Sequence, residues 1–220
     1  MSFPELKPNA VRYHPDETVE QLRGPVVTTD VEDSAMSLAL SLAAVSLQNG
    51  NPPVGAVLIN NATGKTWANR TDDKTTRNLV RHGEMVAYFD AQPEVGDDLS
   101  DCTLVTTAEL CSSCTPHYAE GRIGKIIYAA PRAYVFPLTN IMRPRNINMP
   151  DLLKDGNTDT TVIENYRMIE SLGLFATYGA LKGVRVPKKA GKFLLGISRG
   201  TITPEPVARQ VIAAPNLQAA

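Results

Sequence analysis

Two polar residues two positions apart, His82 and Glu84, occur in the stretch LVRHGEMVAYFDAQ, which covers residues 79–92. An imidazole can bind a metal ion, and a carboxylate close to it can accept and return a proton. The same two residues can also be ordinary polar groups at the start of a helix. Residues two apart in a regular helix point to nearly opposite sides, so these side chains converge only if His82 lies at the helix entry.

A second group with metal-binding chemistry is the cysteine pair at Cys111 and Cys114, which reads CSSC. The pair lies where a predicted strand passes into a predicted helix, so both sulfurs can face one side of the first turn. The exposed amides and the positive end of the helix dipole favour the thiolate, which is the form that binds zinc. Taken alone, the pair could equally be a redox-active dithiol.

Two thiolates leave a tetrahedral zinc site incomplete, and His82 offers a third ligand from another helix start. With water in the fourth position, such a site is catalytic. His117 follows the cysteines on the same predicted helix, about 120° around its axis from Cys111, and His14 lies in an irregular segment. We therefore predict a Zn²⁺ site whose ligands are His82, Cys111 and Cys114.

Hydrophobic periodicity predicts the elements that must hold these residues. A capping-box spacing at Thr29 and Glu32 begins an apolar helix that ends near Gln48. Strands are predicted at 54–59, 65–69, 103–107 and 125–130, and helices at 31–48, 82–92, 112–120 and 160–172. A hairpin followed by alternating helices and strands indicates an α/β sheet with a partly parallel edge.

Composition narrows the class of protein. The 220 residues carry a formal net charge of −1 with acids and bases interleaved, so a long nucleic-acid partner is not expected. No apolar run approaches the ~18–20 residues that span a bilayer, and the N-terminal stretch lacks the apolar region of a secretory signal. Three cysteines are an odd number and too few for a disulfide scaffold, so we expect free thiols and a cytoplasmic location.

The motifs together resemble the zinc-dependent cytidine/cytosine deaminase superfamily, whose signature is H-x-E followed by P-C-x-x-C. Here the signature reads HGE at 82–84 and ELCSSC at 109–114. NPPVGAVLINNATGKTWANR upstream and GRIGKIIYA downstream are similar to segments of tRNA adenosine deaminases and nucleobase deaminases. The resemblance covers residues 33–131. It implies a three-layer α/β/α cytidine-deaminase-like fold, with a mixed central sheet of about five strands flanked by helices.

The resemblance also implies roles for single residues. Glu84 would shuttle protons during hydrolytic removal of an exocyclic amine from a ring carbon. Asn69 would contact the substrate, Ala56 would pack behind the pocket, and Gly83 would leave room for a substrate amine. Arg122 is expected to brace the cysteine helix.

Two departures from the family pattern concern the motifs themselves. Leu110 stands where the family nearly always has proline, and leucine loosens the entry to the cysteine helix. Gly83 stands where alanine or valine is commoner, and fungal-type cytosine deaminases share this HGE.

These observations predict an organisation and a function. We divide the chain into an N-terminal arm at 1–28, a catalytic domain at 29–184 with its motif core at 33–131, and a C-terminal tail at 185–220. The expected activity is that of a hydrolase acting on C–N bonds of cyclic amidines, with a free nucleobase, nucleoside or related small heterocycle as substrate. We expect a homodimer, because superfamily members are commonly dimers or tetramers, and neither a nucleic acid nor a membrane as partner.

Two alternatives stay open. A tRNA adenosine deaminase shares the hairpin motifs but would need a basic groove, and only a thin basic strip is present, formed by Lys188, Lys189, Lys192 and Arg199. An inactive, zinc-stabilised partner subunit is favoured by Leu110 and by the divergent C-terminal half. It is opposed by the presence of Glu84, which such a subunit has no reason to keep.

Overall fold

The computed structural model describes residues 19–21, 28–78, 80–139, 149, 153, 159–185, 191–192, 196, 199, 201 and 205–211. Its strands are β1 (Val19–Gln21), β2 (Gly55–Asn60), β3 (Thr66–Arg70), β4 (Cys102–Ala108), β5 (Lys125–Ala130), β6 (Thr160–Glu164) and β7 (Val207–Val211). Its helices are α1 (Asp30–Gln48), α2 (Asp73–Thr76), α3 (Gly83–Val95), α4 (Thr115–Glu120), α5 (Arg132–Thr139) and α6 (Met168–Leu181).

The strands form one mixed sheet in the order β1-β7-β6-β5-β4-β2-β3. β4, β5 and β6 are parallel, whereas β2 is antiparallel to both β3 and β4. This arrangement confirms the predicted α/β fold, and β2 to β6 are five neighbouring strands of the sheet, with β3 at one edge. β7 and β1 extend one edge in antiparallel pairing, and they come from the segments predicted as tail and arm.

The two faces of the sheet are covered by different helices, because successive side chains of a strand point to opposite faces. Leu58 and Leu104 pack with Met85 of α3 and Tyr118 of α4. The side chains at the alternate positions of β2 and β4 point to the other face, where they pack with the α1 residues Ala35, Met36, Ala39 and Leu40. The outcome is the expected three-layer architecture.

The start of α1 agrees with the sequence. Thr29 is the N-cap, its hydroxyl accepts a hydrogen bond from the Glu32 amide at 3.2 Å, and its own amide donates to the Glu32 carboxylate at 2.8 Å. This is the reciprocal capping box that the spacing predicted.

The prediction of one helix at 160–172 is wrong. Residues 160–164 form β6, which pairs parallel with β5, and α6 begins only at Met168 and continues through Gly173. The run TTVI is rich in β-branched residues, which favour strands, and Asn165 and Arg167 have positive φ angles that separate strand from helix. α3 likewise continues through Pro93, where its end was predicted, to Val95.

The parallel strands β4 and β5 end at the same edge of the sheet, where a site can form. β4 ends at Ala108 beside Ala130, the end of β5, so the segments that follow both strands leave the sheet together. Within the described part of the chain, no helix is both long and apolar enough to cross a membrane.

Candidate active site

His82 is the N-cap of α3, and its backbone is extended, with φ −77° and ψ 147°. This is the helix-entry placement that convergence with Glu84 requires. The Gly83 amide donates a hydrogen bond to the Thr71 hydroxyl at 3.0 Å, which ties the first residue of α3 to the segment after β3. The two side chains interact electrostatically: the positive charge of His82 acts to lower the pKa of Glu84, against the larger effect of burial.

Cys111 and Cys114 lie in a turn that leads into α4, with Cys114 as the N-cap. The Cys111 carbonyl accepts hydrogen bonds from the Cys114 amide at 3.1 Å and from the Thr115 amide at 3.0 Å. The Thr115 hydroxyl donates to the same carbonyl at 2.9 Å. These bonds hold both sulfurs on one side of the turn.

The three predicted ligand atoms converge. His82 Nδ1 lies 3.5 Å from Cys111 Sγ and 3.4 Å from Cys114 Sγ, and the two sulfurs are 3.4 Å apart. A tetrahedral Zn²⁺ with bonds of about 2.0–2.3 Å would separate its ligands by about 3.6–3.8 Å. The donor set therefore fits zinc after small adjustments, and within the described residues no fourth His, Cys, Asp or Glu donor joins the group. Three protein ligands leave one position open, which is the pattern of a catalytic zinc site.

The protonation states of the ligands depend on one another. The hydrogen bond between the Cys111 and Cys114 sulfurs lowers the pKa of Cys111 to about 3, and the same bond, together with burial, raises the pKa of Cys114. The hydrogen bond to Cys111 raises the pKa of His82 to about 9. These shifts favour the thiolate at Cys111, the thiol at Cys114 and the protonated ring at His82.

Glu84 is the acid that adjoins this centre. It is 3% exposed, and its Oε2 atom is buried without a hydrogen-bond partner among the described residues. Burial raises its pKa to about 7. The phenol of Tyr118 donates to the Glu84 backbone carbonyl at 2.8 Å, which fixes the first turn of α3 against α4.

The residues predicted to contact substrate have defined places. Ala56 is fully buried, and Asn69 is its register partner on β3. The Asn69 side chain donates to the Asp90 carboxylate at 3.0 Å. At Gly83 a Cβ would lie 3.1 Å from the Asn69 carbonyl oxygen, so the glycine lets α3 begin close to β3. Their substrate contacts stay predictions.

Two other expectations concern His117 and Arg122. The His117 ring packs edge-on against Tyr88 and lies outside the ligand group, in agreement with its predicted exclusion. Arg122 pairs with Asp98 at 2.5 Å, whereas the arginine that contacts the cysteine segment is Arg132. The prediction for Arg122 is therefore corrected. His14 lies outside the described residues.

Sequence reasoning did not select Thr71, Tyr118 or Arg132. None of them belongs to a spaced motif, and each acts through a backbone atom of another segment. A pattern of side-chain types cannot reveal such contacts before the fold is known.

Comparison with known proteins shows which family and which relatives this chain is similar to. Residues 29–130 match the family described as the cytidine and deoxycytidylate deaminase zinc-binding region. A tRNA(Ile)-lysidine synthase of Deinococcus radiodurans is 37% identical over 98 residues, which make up 44% of this chain and 17% of that protein. A tRNA-specific adenosine deaminase of Rickettsia bellii is 29% identical over 99 residues, or 43% of this chain and 67% of that protein.

The likeness to solved structures extends beyond the motif region. The guanine deaminase of Nitrosomonas europaea has a TM-score of 0.57 and 22% identity, and the match covers 73% of this chain and 88% of that one. It shows that the fold is shared. The chain spans less than a fifth of the Deinococcus protein. Residues 29–130, which match the family description, include the predicted ligands His82, Cys111 and Cys114 as well as Glu84.

Proposed function

We propose that the chain is a hydrolase that releases ammonia from a free nucleobase, a nucleoside or a related small heterocycle, because residues 29–130 match the family described as the cytidine and deoxycytidylate deaminase zinc-binding region. The observation that carries the proposal is the buried carboxyl of Glu84, which follows His82 by two residues next to a group of three converging ligand atoms, and whose Oε2 atom has no hydrogen-bond partner among the described residues. A buried acid with a perturbed pKa in such a place is typical of a catalytic proton carrier.

The proposed reaction assigns the chemistry as follows. His82, Cys111 and Cys114 would hold Zn²⁺, which would supply the Lewis acidity that lowers the pKa of water. With a pKa of about 7, Glu84 can both accept and return a proton near neutral pH. It takes the proton of the attacking water and delivers it to the ring nitrogen of the amidine. It then takes the second water proton from the new hydroxyl group and passes it to the departing amine, so the C–N bond breaks, ammonia leaves and a carbonyl remains.

The charges around the site support a small substrate. Arg81, directly before His82, pairs with Asp72 at 2.8 Å, and Arg132 is buried beside Glu109. Lys65, next to β3, pairs with Glu94 of α3. These cations are therefore engaged within the chain, which does not favour a polyanionic partner. Asn69, Gly83 and Ala56 are the proposed substrate contacts.

A tRNA adenosine deaminase is the second candidate, favoured by the similarity to the Rickettsia protein. Of the basic strip that would help such binding, Lys188 and Lys189 lie outside the described residues. The third candidate, an inactive partner subunit, would not need the buried carboxyl of Glu84.

One experiment separates the three. The zinc-loaded protein is incubated with cytosine, guanine, adenine, their nucleosides and, in parallel, a tRNA, and ammonia is measured. We expect release from at least one base or nucleoside, and none when Glu84→Gln replaces the wild type. Deamination of the tRNA alone would support the second candidate, and no release from any substrate would support the third.

We further propose a homodimer located in the cytoplasm. Free thiols at Cys102, Cys111 and Cys114 suit a reducing compartment. Self-association is supported by an apolar stripe on α1, formed by the exposed side chains of Val31, Leu38 and Val45.

A further inference from the structure

Arg132 is an arginine buried at the edge of the sheet where the cysteine segment leaves β4. It is 7% exposed and is the first residue of α5, directly after β5 and Pro131. Since Ala108 and Ala130 are register partners, the segment after β4 and the start of α5 lie side by side. The fold therefore brings a guanidinium to the backbone that carries the first cysteine.

Three contacts join Arg132 to that segment. Its Nη2 atom donates to the Leu110 carbonyl at 2.5 Å, and its backbone amide donates to the Glu109 carboxylate at 2.8 Å. The guanidinium also lies 3.7 Å from Glu109 Oε1. Both residues before Cys111 are thus held from one side by a single residue of α5.

The segment needs such an anchor. Leu110 has no ring to restrict its φ angle, so the backbone that leads to Cys111 has two soft torsions at this position. The Leu110 side chain is fully buried in the core, but a side chain alone leaves the orientation of the next peptide free to vary. A zinc ligand tolerates displacements of only about 0.2 Å in its bond length.

The cost of burying Arg132 also indicates a purpose. A buried guanidinium is expensive unless its donors are satisfied, and the Nε atom of Arg132 has no hydrogen-bond partner among the described residues. An apolar residue could fill the same volume at lower cost.

We infer that Arg132 is a positioning residue of the zinc centre: it fixes the backbone at Leu110 so that Cys111 meets His82 and Cys114 at ligand distances. It thereby sets the affinity of the site for Zn²⁺. The inference rests on the zinc centre of the proposed function and is independent of the substrate. A chain that binds zinc tightly but releases no ammonia would refute the function and leave this role intact.

The test measures the affinity of the full chain for Zn²⁺ by competition with a chromogenic chelator, without substrate. Arg132→Met is expected to lower the affinity about 10–100-fold, the usual effect of removing a group that orients a metal ligand. The matched control is Arg122→Met, which makes the same change in an exposed ion pair and should stay within twofold of wild type. Co²⁺ absorption serves as a second readout, because a displaced thiolate weakens the sulfur-to-metal band.

A variant at Arg132 could bind zinc weakly only because it does not fold, so folding is measured separately. Arg132→Met leaves Glu109 buried without its cation, so the double variant Glu109→Gln/Arg132→Met removes the unpaired charge. Circular dichroism of the metal-free proteins reports whether each variant folds. Should both fail to fold, Arg132→Lys decides, with an expected loss of at least about fivefold because lysine lacks the guanidinium fork. The inference would be overturned if the folded variant bound Zn²⁺ within twofold of wild type. That variant is Arg132→Met or the double variant, or Arg132→Lys if neither of these folds.

Discussion

Glu84 keeps a carboxylate in a place where burial opposes its charge. A buried, unpartnered carboxyl oxygen costs free energy, and folded proteins retain few such groups. The raised pKa of about 7 follows from that burial, and it makes both protonation states accessible near neutral pH. The cost is consistent with the proposed use of Glu84 as a proton carrier.

The first prediction concerns Glu84→Gln. The amide keeps the size of the side chain but cannot carry the proton, so kcat/KM should fall about 10²–10⁴-fold or more. Zinc content should stay at the wild-type level, because Glu84 is not a ligand. Ammonia release and metal analysis of the same preparation check both statements, and wild-type-like turnover would refute the assigned role.

A second prediction concerns Gly83, which starts α3 close to β3. In Gly83→Ala the new Cβ would lie 3.1 Å from Arg70 Cα and from the Asn69 carbonyl oxygen, so the helix start must shift by a few tenths of an ångström. We expect a loss of about 1–3 kcal/mol in the free energy of unfolding and weaker zinc binding.

The matched control for Gly83→Ala is Gly173→Ala in α6, where a Cβ would meet nothing within 4 Å. That variant should gain about 0.5–1 kcal/mol, because glycine is unfavourable inside a helix. Urea unfolding of both proteins compares the two changes. Equal effects at the two positions would contradict the role given to the close approach.

The ligands could be predicted from sequence because histidine and cysteine carry their chemistry in the side chain, and helix starts can be read from periodicity and caps. Arg132 could not be found in this way. Its contact with Leu110 depends on the register between β4 and β5 and on the reach of a long side chain. Nothing in the spacing of the two residues, 22 positions apart, indicates that they meet.

At the scale of elements, the site depends on two helix starts that the sheet brings together. α3 contributes His82 and Glu84, and the turn before α4 contributes both cysteines. The hairpin, α1 and β4 were readable from sequence because their patterns are local. β6 was not, because a strand of five residues followed by a helix has the same apolar spacing as one longer helix, and its pairing with β5 is non-local.

A third prediction follows because the predicted ligands come from two separate helix starts. Zinc would join segments 29 residues apart, so its removal should lower the melting temperature of the domain. The effect should shrink as the pH falls. His82, with a raised pKa of about 9, and the Cys114 thiol must both lose their protons, so about two protons leave for each zinc bound.

Thermal melts with and without a chelator, repeated between pH 8 and pH 6, test this third prediction, because the difference in melting temperature should become smaller towards pH 6. The control is a Cys111→Ser/Cys114→Ser variant, which should not respond to the chelator. A stabilisation by zinc that grows towards acid pH would contradict the assigned protonation states.

At the scale of the whole molecule, α1 presents a surface unlike the rest of the chain. Residues 34–48 carry no charged side chain, and Val31, Leu38 and Val45 are 53%, 42% and 39% exposed at a spacing of seven. In a two-fold contact the same surface patch of both copies meets itself, so an uncharged apolar stripe is compatible with self-association.

The fourth prediction is therefore that Leu38→Arg shifts the homodimer to a monomer, because the buried charge would face its own copy across the two-fold axis. Light scattering coupled to gel filtration measures the mass. Leu181→Arg, at another exposed leucine on α6, is the control and should leave the mass unchanged. A monomeric wild type would refute the dimer itself.

The pairing at the far edge of the sheet has a practical consequence. β1 touches the sheet only through β7, which lies between it and β6. A shortened expression clone that stops before residue 207 would lose two strands at once and bare the amides and carbonyls along β6, next to the core. An open strand of that kind recruits neighbouring chains, so such a clone is expected to yield aggregates even though every metal ligand is still present.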